Sequence, residues 1–98
     1  MEILKPYRAR INVIDEQIIE LLRRRYEVID EVGHFKAQKN IPAVIPERVA
    51  EVRENAAALA EKKGMDADFI RKLYAQLIEH SCAMEEKIIQ QHNRKKAS

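Results

Sequence analysis

Three cations within the first 36 residues are placed where they can do chemistry together. Arg25 falls between Leu21 and Val28, at a position of a three-and-four apolar repeat where a leucine is expected. Its charge must therefore meet an anion or reach water. Lys36 follows eleven positions later, which on a helix returns it to within about 20° of Arg25 and about 16 Å along the axis. Two long cationic side chains on one face can bracket one small anion. Arg8 precedes Arg25 by seventeen positions, about 100° round the same helix and about 25 Å away, so within one chain it cannot join that site. The chemistry available to such a set is electrostatic: binding a carboxylate and stabilising negative charge as it develops. The alternatives are that Arg25 forms an internal ion pair with Asp15 or Asp30, and that Arg8 and Lys36 are solvated surface charges, as Arg23 and Arg24 are expected to be.

Two further stretches bear on the same chemistry. Arg48 either adds a fourth cation or pairs with Glu47 or Glu51. The stripe Ile78, Ser81, Glu85, Ile88 puts a carboxyl on a partly apolar helix face, where desolvation favours its neutral, proton-donating form. Otherwise Glu85 turns to the surface with Glu86 or pairs with a cation. His80 and Cys82 have no partner at the spacing of a nucleophilic pair and read as packing or surface residues. One cysteine and three scattered histidines form neither an internal disulfide nor a metal-ligand spacing, so no metal and no cofactor is expected.

The elements that must position these residues are helices. The chain has 98 residues, 46% apolar and 35% charged, enough for one small domain over 1–98. Only two glycines and three prolines punctuate it, and β-branched residues never alternate with polar ones over a strand length, so the expected fold class is all-α with three helices. Leu4, Tyr7, Ile11, Ile14, Ile18, Leu21, Arg25, Val28, Val32 and Phe35 define one long first helix from about Leu4 to about Gln38. The segment from Lys39 to Ile45, with Pro42, breaks it, and Pro46 opens a second helix to about Lys63. Gly64 suits a left-handed stop, and Asp66 an N-cap for a third helix from about Ala67 to about His92. Residues 93–98 then read as a frayed basic tail. A net charge of +2 with interleaved signs argues against nucleic-acid binding. The short apolar runs argue against a membrane span or a secretory leader, which leaves the cytosol as the expected compartment.

A helix of about 35 residues is about 52 Å long, whereas a compact chain of this size has a radius of gyration near 13 Å. The first helix must project, and its apolar seam is covered most simply by the same helix of a second copy, giving an intertwined homodimer. Antiparallel pairing about residue 21 sets position 8 of one chain beside about position 34 of the other. Arg8 then falls between Arg25 and Lys36 of the partner subunit, and each end of the dimer carries a three-cation pocket. The alternative is a monomer whose first helix kinks near Gly33 and folds back.

In their order these residues resemble the all-helical chorismate mutase family. Arg8 with Ile14-Asp15, Leu21-Leu22 before Arg25, and Val32-Gly33 before Lys36 are similar to its first helix. Pro46-Glu47-Arg48 resembles the start of its second, and Asp66-Ala67 through Leu73, Ile78, Ser81 and Glu85 its third. The resemblance implies an intertwined three-helix dimer that takes a chorismate-type dicarboxylate and rearranges chorismate to prephenate, a pericyclic step that moves no proton. It implies that Arg25, with Arg8 from the partner, holds the two carboxylates, and that Arg48 and Ser81 belong to the substrate site. It further implies that Lys36 and a protonated Glu85 face the ether oxygen of the breaking bond. Where members specialised for chorismate carry carboxylates, this chain has Ile45 and Val49, neither of which accepts a hydrogen bond. That departure, with Phe35-Lys36-Ala37, Ile41-Pro42 and Pro46-Glu47-Arg48-Val49, is similar to the family's isochorismate pyruvate lyase branch, although Glu85 stands where the lyase has glutamine. Cys82 with Glu85-Glu86 resembles a third branch, acting on 4-amino-4-deoxychorismate. Against all of these stands a non-catalytic helical dimerisation module, in which Arg25 pairs internally.

Overall fold

The computed structural model describes residues 1–97, and among them helix is the only regular structure. A single 3-10 turn over Glu2–Leu4 leads into α1, Lys5–Lys39; α2 spans Pro46–Lys62 and α3 spans Ala67–Ala97. Pro6 sits in the first turn of α1 and Pro46 opens α2, positions whose N–H groups have no partner inside the helix. α1 ends on Asn40 in the left-handed conformation, φ 56°, and the Lys36 carbonyl accepts from the N–H groups of both Asn40 and Ile41. Gly64, at φ 72°, closes α2 as expected, one residue earlier than the reading that carried this helix to Lys63. Asp66 Oδ1 accepts from the Phe69 N–H at 3.1 Å, the N-cap bond expected for the start of α3.

The single long first helix is as expected, its kinked alternative is excluded, and one boundary, the end of α3, is corrected. α1 runs unbroken through Gly33, so a kink there does not exist; the glycine is buried where α1 and α3 approach closely, and a Cβ on it would lie 2.8 Å from Ile88 Cδ1. α3 does not stop at His92. It continues through Arg94, Lys95 and Lys96 to Ala97, and cations in the last turn of a helix are favoured by its exposed carbonyl ends. The tail over 93–97 is thus helical, and Ser98 lies outside the described residues.

α3 is the middle layer, touching α1 on one side and α2 on the other, while α1 and α2 do not meet. α1 and α3 run in the same direction, Arg25 facing Ser81 and Gly33 facing Glu85 and Ile88. The exposed pair of Arg71 with Glu54, 3.1 Å, adds a modest tie between α3 and α2. The radius of gyration is 17.6 Å and the extents are 62 × 27 × 16 Å, well beyond the roughly 13 Å radius of a compact chain of this length. Residues 1–21 are all exposed, Ile14 by 53% and Leu21 by 57%. The buried apolar set is small in volume: Ala37, Ala43, Ala57, Ala60, Ile70 and Ile78. No helix among the described residues is long and apolar enough to cross a membrane.

Candidate active site

Because α1 and α2 flank α3 without touching, a cleft of about 570 Å³ opens between them over the α3 surface. That volume suits a small organic ligand. From α1 it receives Arg25 and Lys36, from the connecting segment Ala43 and Ile45, from α2 Arg48 and Val49, and from α3 Ser81 and Glu85. Val28, Ile29, Val32, Val52 and Ile78 supply apolar walls. Seven of the eight residues singled out in the sequence therefore meet in one cavity. Arg8 is the eighth; it lies on the exposed first half of α1 and does not line the cleft of its own chain.

The polar contacts set the direction of each charge. A guanidinium N–H of Arg25 donates to Ser81 Oγ at 2.6 Å, and the Ser81 hydroxyl donates in turn to the Leu77 carbonyl at 2.9 Å. Ser81, 4% exposed, is thus a fixed post for Arg25. Among the described residues no carboxylate comes within 4 Å of Arg25, so the expected alternative of a pair with Asp15 or Asp30 is not formed; Asp30 faces His34 at 3.7 Å instead. Lys36 Nζ donates to the Ala43 carbonyl at 2.9 Å and stands 2.6 Å from Glu85 Oε1. The latter is an ion pair by distance whose angles are not those of a hydrogen bond, since Glu85 Oε1 is buried without a hydrogen-bond partner. Glu85 is 5% exposed, so it is both desolvated and cation-paired, the two circumstances that the sequence presented as alternatives. Arg48 does both things open to it, lining the cleft while pairing with Glu51. Arg23, held by Glu20 and Glu27, is a solvated charge as expected.

Cys82, expected as a packing or surface residue, is half-buried and lines the cleft; it is one position past Ser81 and one turn before Glu85, which puts it on the same face of α3. Burial pushes its thiol up from the usual range, the Glu85 charge adds to this and Lys36 opposes it. At neutral pH the cleft therefore holds a thiol rather than a thiolate. Ile29, Ala43 and Val52 are the other lining residues with no signal in the sequence: Ile29 lies off the apolar repeat of α1, Val52 looks like any apolar position of α2, and Ala43 contributes through its backbone. No group of three or more His, Cys, Asp or Glu among the described residues is placed to hold a metal ion.

Fold and cleft together define a class: a three-helix chain whose cationic cavity is suited to an organic anion. The chain belongs to the chorismate mutase type II family, whose model matches residues 7–86. It is 33% identical over 86 residues to a 4-amino-4-deoxychorismate mutase of Streptomyces pristinaespiralis, covering 88% of this chain and 67% of that one. It is 41% identical over 76 residues to an isochorismate pyruvate lyase of Pseudomonas aeruginosa, covering 76% and 73%. It is also 34% identical over 85 residues to a T-protein of Haemophilus influenzae, where the match covers 87% of this chain but only 22% of the relative.

Proposed function

We propose that this chain is a chorismate mutase working as an intertwined homodimer, in which Arg8 of each protomer completes the cleft of the other. The observation that carries the reading is the uncompensated guanidinium of Arg25 beside an otherwise neutralised cleft. Lys36 is offset by Glu85 and Arg48 by Glu51, which leaves one net positive charge for a ligand with two carboxylates. A second free cation has to come from elsewhere. The seam Tyr7, Ile11, Ile14, Ile18 and Leu21 is exposed and needs a cover, and an antiparallel second copy supplies both the cover and Arg8.

The reaction follows from what the cleft offers. Conversion of chorismate to prephenate breaks one C–O bond as a C–C bond forms, with no proton transfer, so the site needs geometry and charge rather than a nucleophile. Arg25, braced by Ser81, grips one carboxylate with its planar fork, and Arg8 of the partner takes the other. Arg48 adds a cation at the edge of the substrate. Lys36 faces the ether oxygen, where negative charge develops; Glu85, its counter-ion in the cleft, donates to the same oxygen once the charge of the bound dianion favours its protonated form. Ile45 and Val49 form the wall against the ring. The proposed compartment is the cytosol.

A second reading has its own observation. Ile45 and Val49 both line the cleft, so that wall offers no side-chain acceptor to a ring hydroxyl. This favours isochorismate pyruvate lyase, a related pericyclic elimination giving salicylate and pyruvate, and leaves the amino analogue of chorismate as a further substrate to try. The test supplies chorismate and isochorismate in parallel and follows prephenate, salicylate and pyruvate. Prephenate is the expected product; salicylate with pyruvate transfers the assignment to the lyase. Turnover of neither, nor of 4-amino-4-deoxychorismate, overturns the enzyme reading in favour of a non-catalytic helical dimer.

A further inference from the structure

We infer that Cys82 is a contact residue of the ligand bound in the cleft, so that a group attached to its sulfur and a ligand held by Arg25 and Lys36 exclude one another. The case rests on the cavity and not on the thiol alone. Cys82 borders the same space as Arg25, Lys36 and Glu85. On α3 it lies about 60° round the helix axis from Glu85 and about 40° from Ile78, both of which face the cleft. Ser81, the neighbour on its other side, is committed to Arg25 and Leu77, and so contributes no free surface there. Glu85 and Lys36, 2.6 Å apart, form the other polar end of the cavity. Between the anion-gripping end at Arg25 and the Lys36–Glu85 pair, Cys82 is the side chain from α3 that presents an uncommitted, soft and weakly polar surface to whatever fills the middle of the cavity. Its volume then limits the ligand's girth at that point.

The inference rests on the proposed function for the nature of the ligand, a dicarboxylate of the chorismate type. The test exploits the single cysteine of the chain, which makes alkylation unambiguous. The full-length protein is treated with N-ethylmaleimide, whose double bond takes the sulfur at one carbon and a proton from water at the other. Labelling is followed by intact mass with and without saturating chorismate, and affinity for chorismate is measured before and after by calorimetry. The expected result is at least tenfold slower labelling in the presence of chorismate and loss of binding by the alkylated protein. The Cys82→Ser variant should show the same affinity before and after reagent, and Cys82→Leu should raise KM more than it lowers kcat. Equal labelling rates at saturating chorismate, or unchanged affinity after complete alkylation, would overturn the contact while leaving the proposed function standing. Failure of the untreated protein to bind chorismate in the same calorimeter would instead sink the reading on which the contact rests, and the contact with it.

Discussion

At the scale of single residues, Lys36 is the side chain through which the cleft is organised. Its ammonium has three protons: one goes to the Ala43 carbonyl at 2.9 Å, the Glu85 carboxyl stands 2.6 Å away, and the remaining direction is the cavity that both residues line. In the proposed reaction Glu85 is useful only when it carries a proton, because a second negative charge beside the ether oxygen would oppose the one that develops there. Glu85→Gln, which donates from its amide without needing an added proton, is therefore expected to keep or raise kcat, whereas Glu85→Ala, which removes the donor, is expected to lower kcat by about 10²-fold or more. The check is kcat of the three proteins side by side; wild-type kcat in Glu85→Ala would remove this carboxyl from the chemistry. Arg25 was legible in the sequence because a charge in an apolar repeat is conspicuous. Cys82 was not, because a cysteine next to a serine on a helix carries no spacing signal, and only packing of α1 and α2 against α3 turns that face into a cavity wall.

At the scale of elements, the cleft depends on how closely α1 can approach α3. Gly33 sets that distance: the nearest atoms to a Cβ placed there are the mobile end of Ile88 at 2.8 Å and the Glu85 Cα at 3.4 Å. Gly33→Ala exchanges a helix-propensity gain of about 1 kcal/mol against a small displacement of Ile88, so stability by urea denaturation is expected to change by less than about 1 kcal/mol. Gly33→Val adds a branched side chain where the helices touch and is expected to cost about 1–3 kcal/mol. Since the pressure falls on α3 at Glu85, kcat should drop with it; a valine variant of native stability and activity would show that the approach is not tight. The same position illustrates what periodicity reveals and what it hides. Heptad spacing located α1 to within a residue at each end, and Pro46, Gly64 and Asp66 marked the other boundaries by their backbone chemistry. The spacing is silent, however, on whether a glycine inside a helix is a hinge or a packing gap. It was silent too on the end of α3, where polar cationic residues continue a helix without contributing to any apolar stripe.

At the scale of the whole molecule, one chain is elongated and buries little. Its radius of gyration is 17.6 Å, its first twenty-one residues are exposed, and no large side chain among the described residues is fully buried. The length of α1 and its apolar seam were readable from the sequence; the three-layer order, with α3 in the middle, was not, because which helix faces compete for one another is decided by packing. The central claim is that the site is shared between two copies, and it is tested most directly by complementation. Arg8→Ala and Arg25→Ala are each expected to lose about 10²-fold or more in kcat/KM for chorismate. Mixed under conditions that exchange subunits, about half of the dimers become heterodimers, each with one site that holds both arginines. Mixing two nearly inactive proteins is therefore expected to restore about a quarter of wild-type activity. Activity that stays at the average of the two parents after demonstrated exchange would contradict it, and would place Arg8 outside the site.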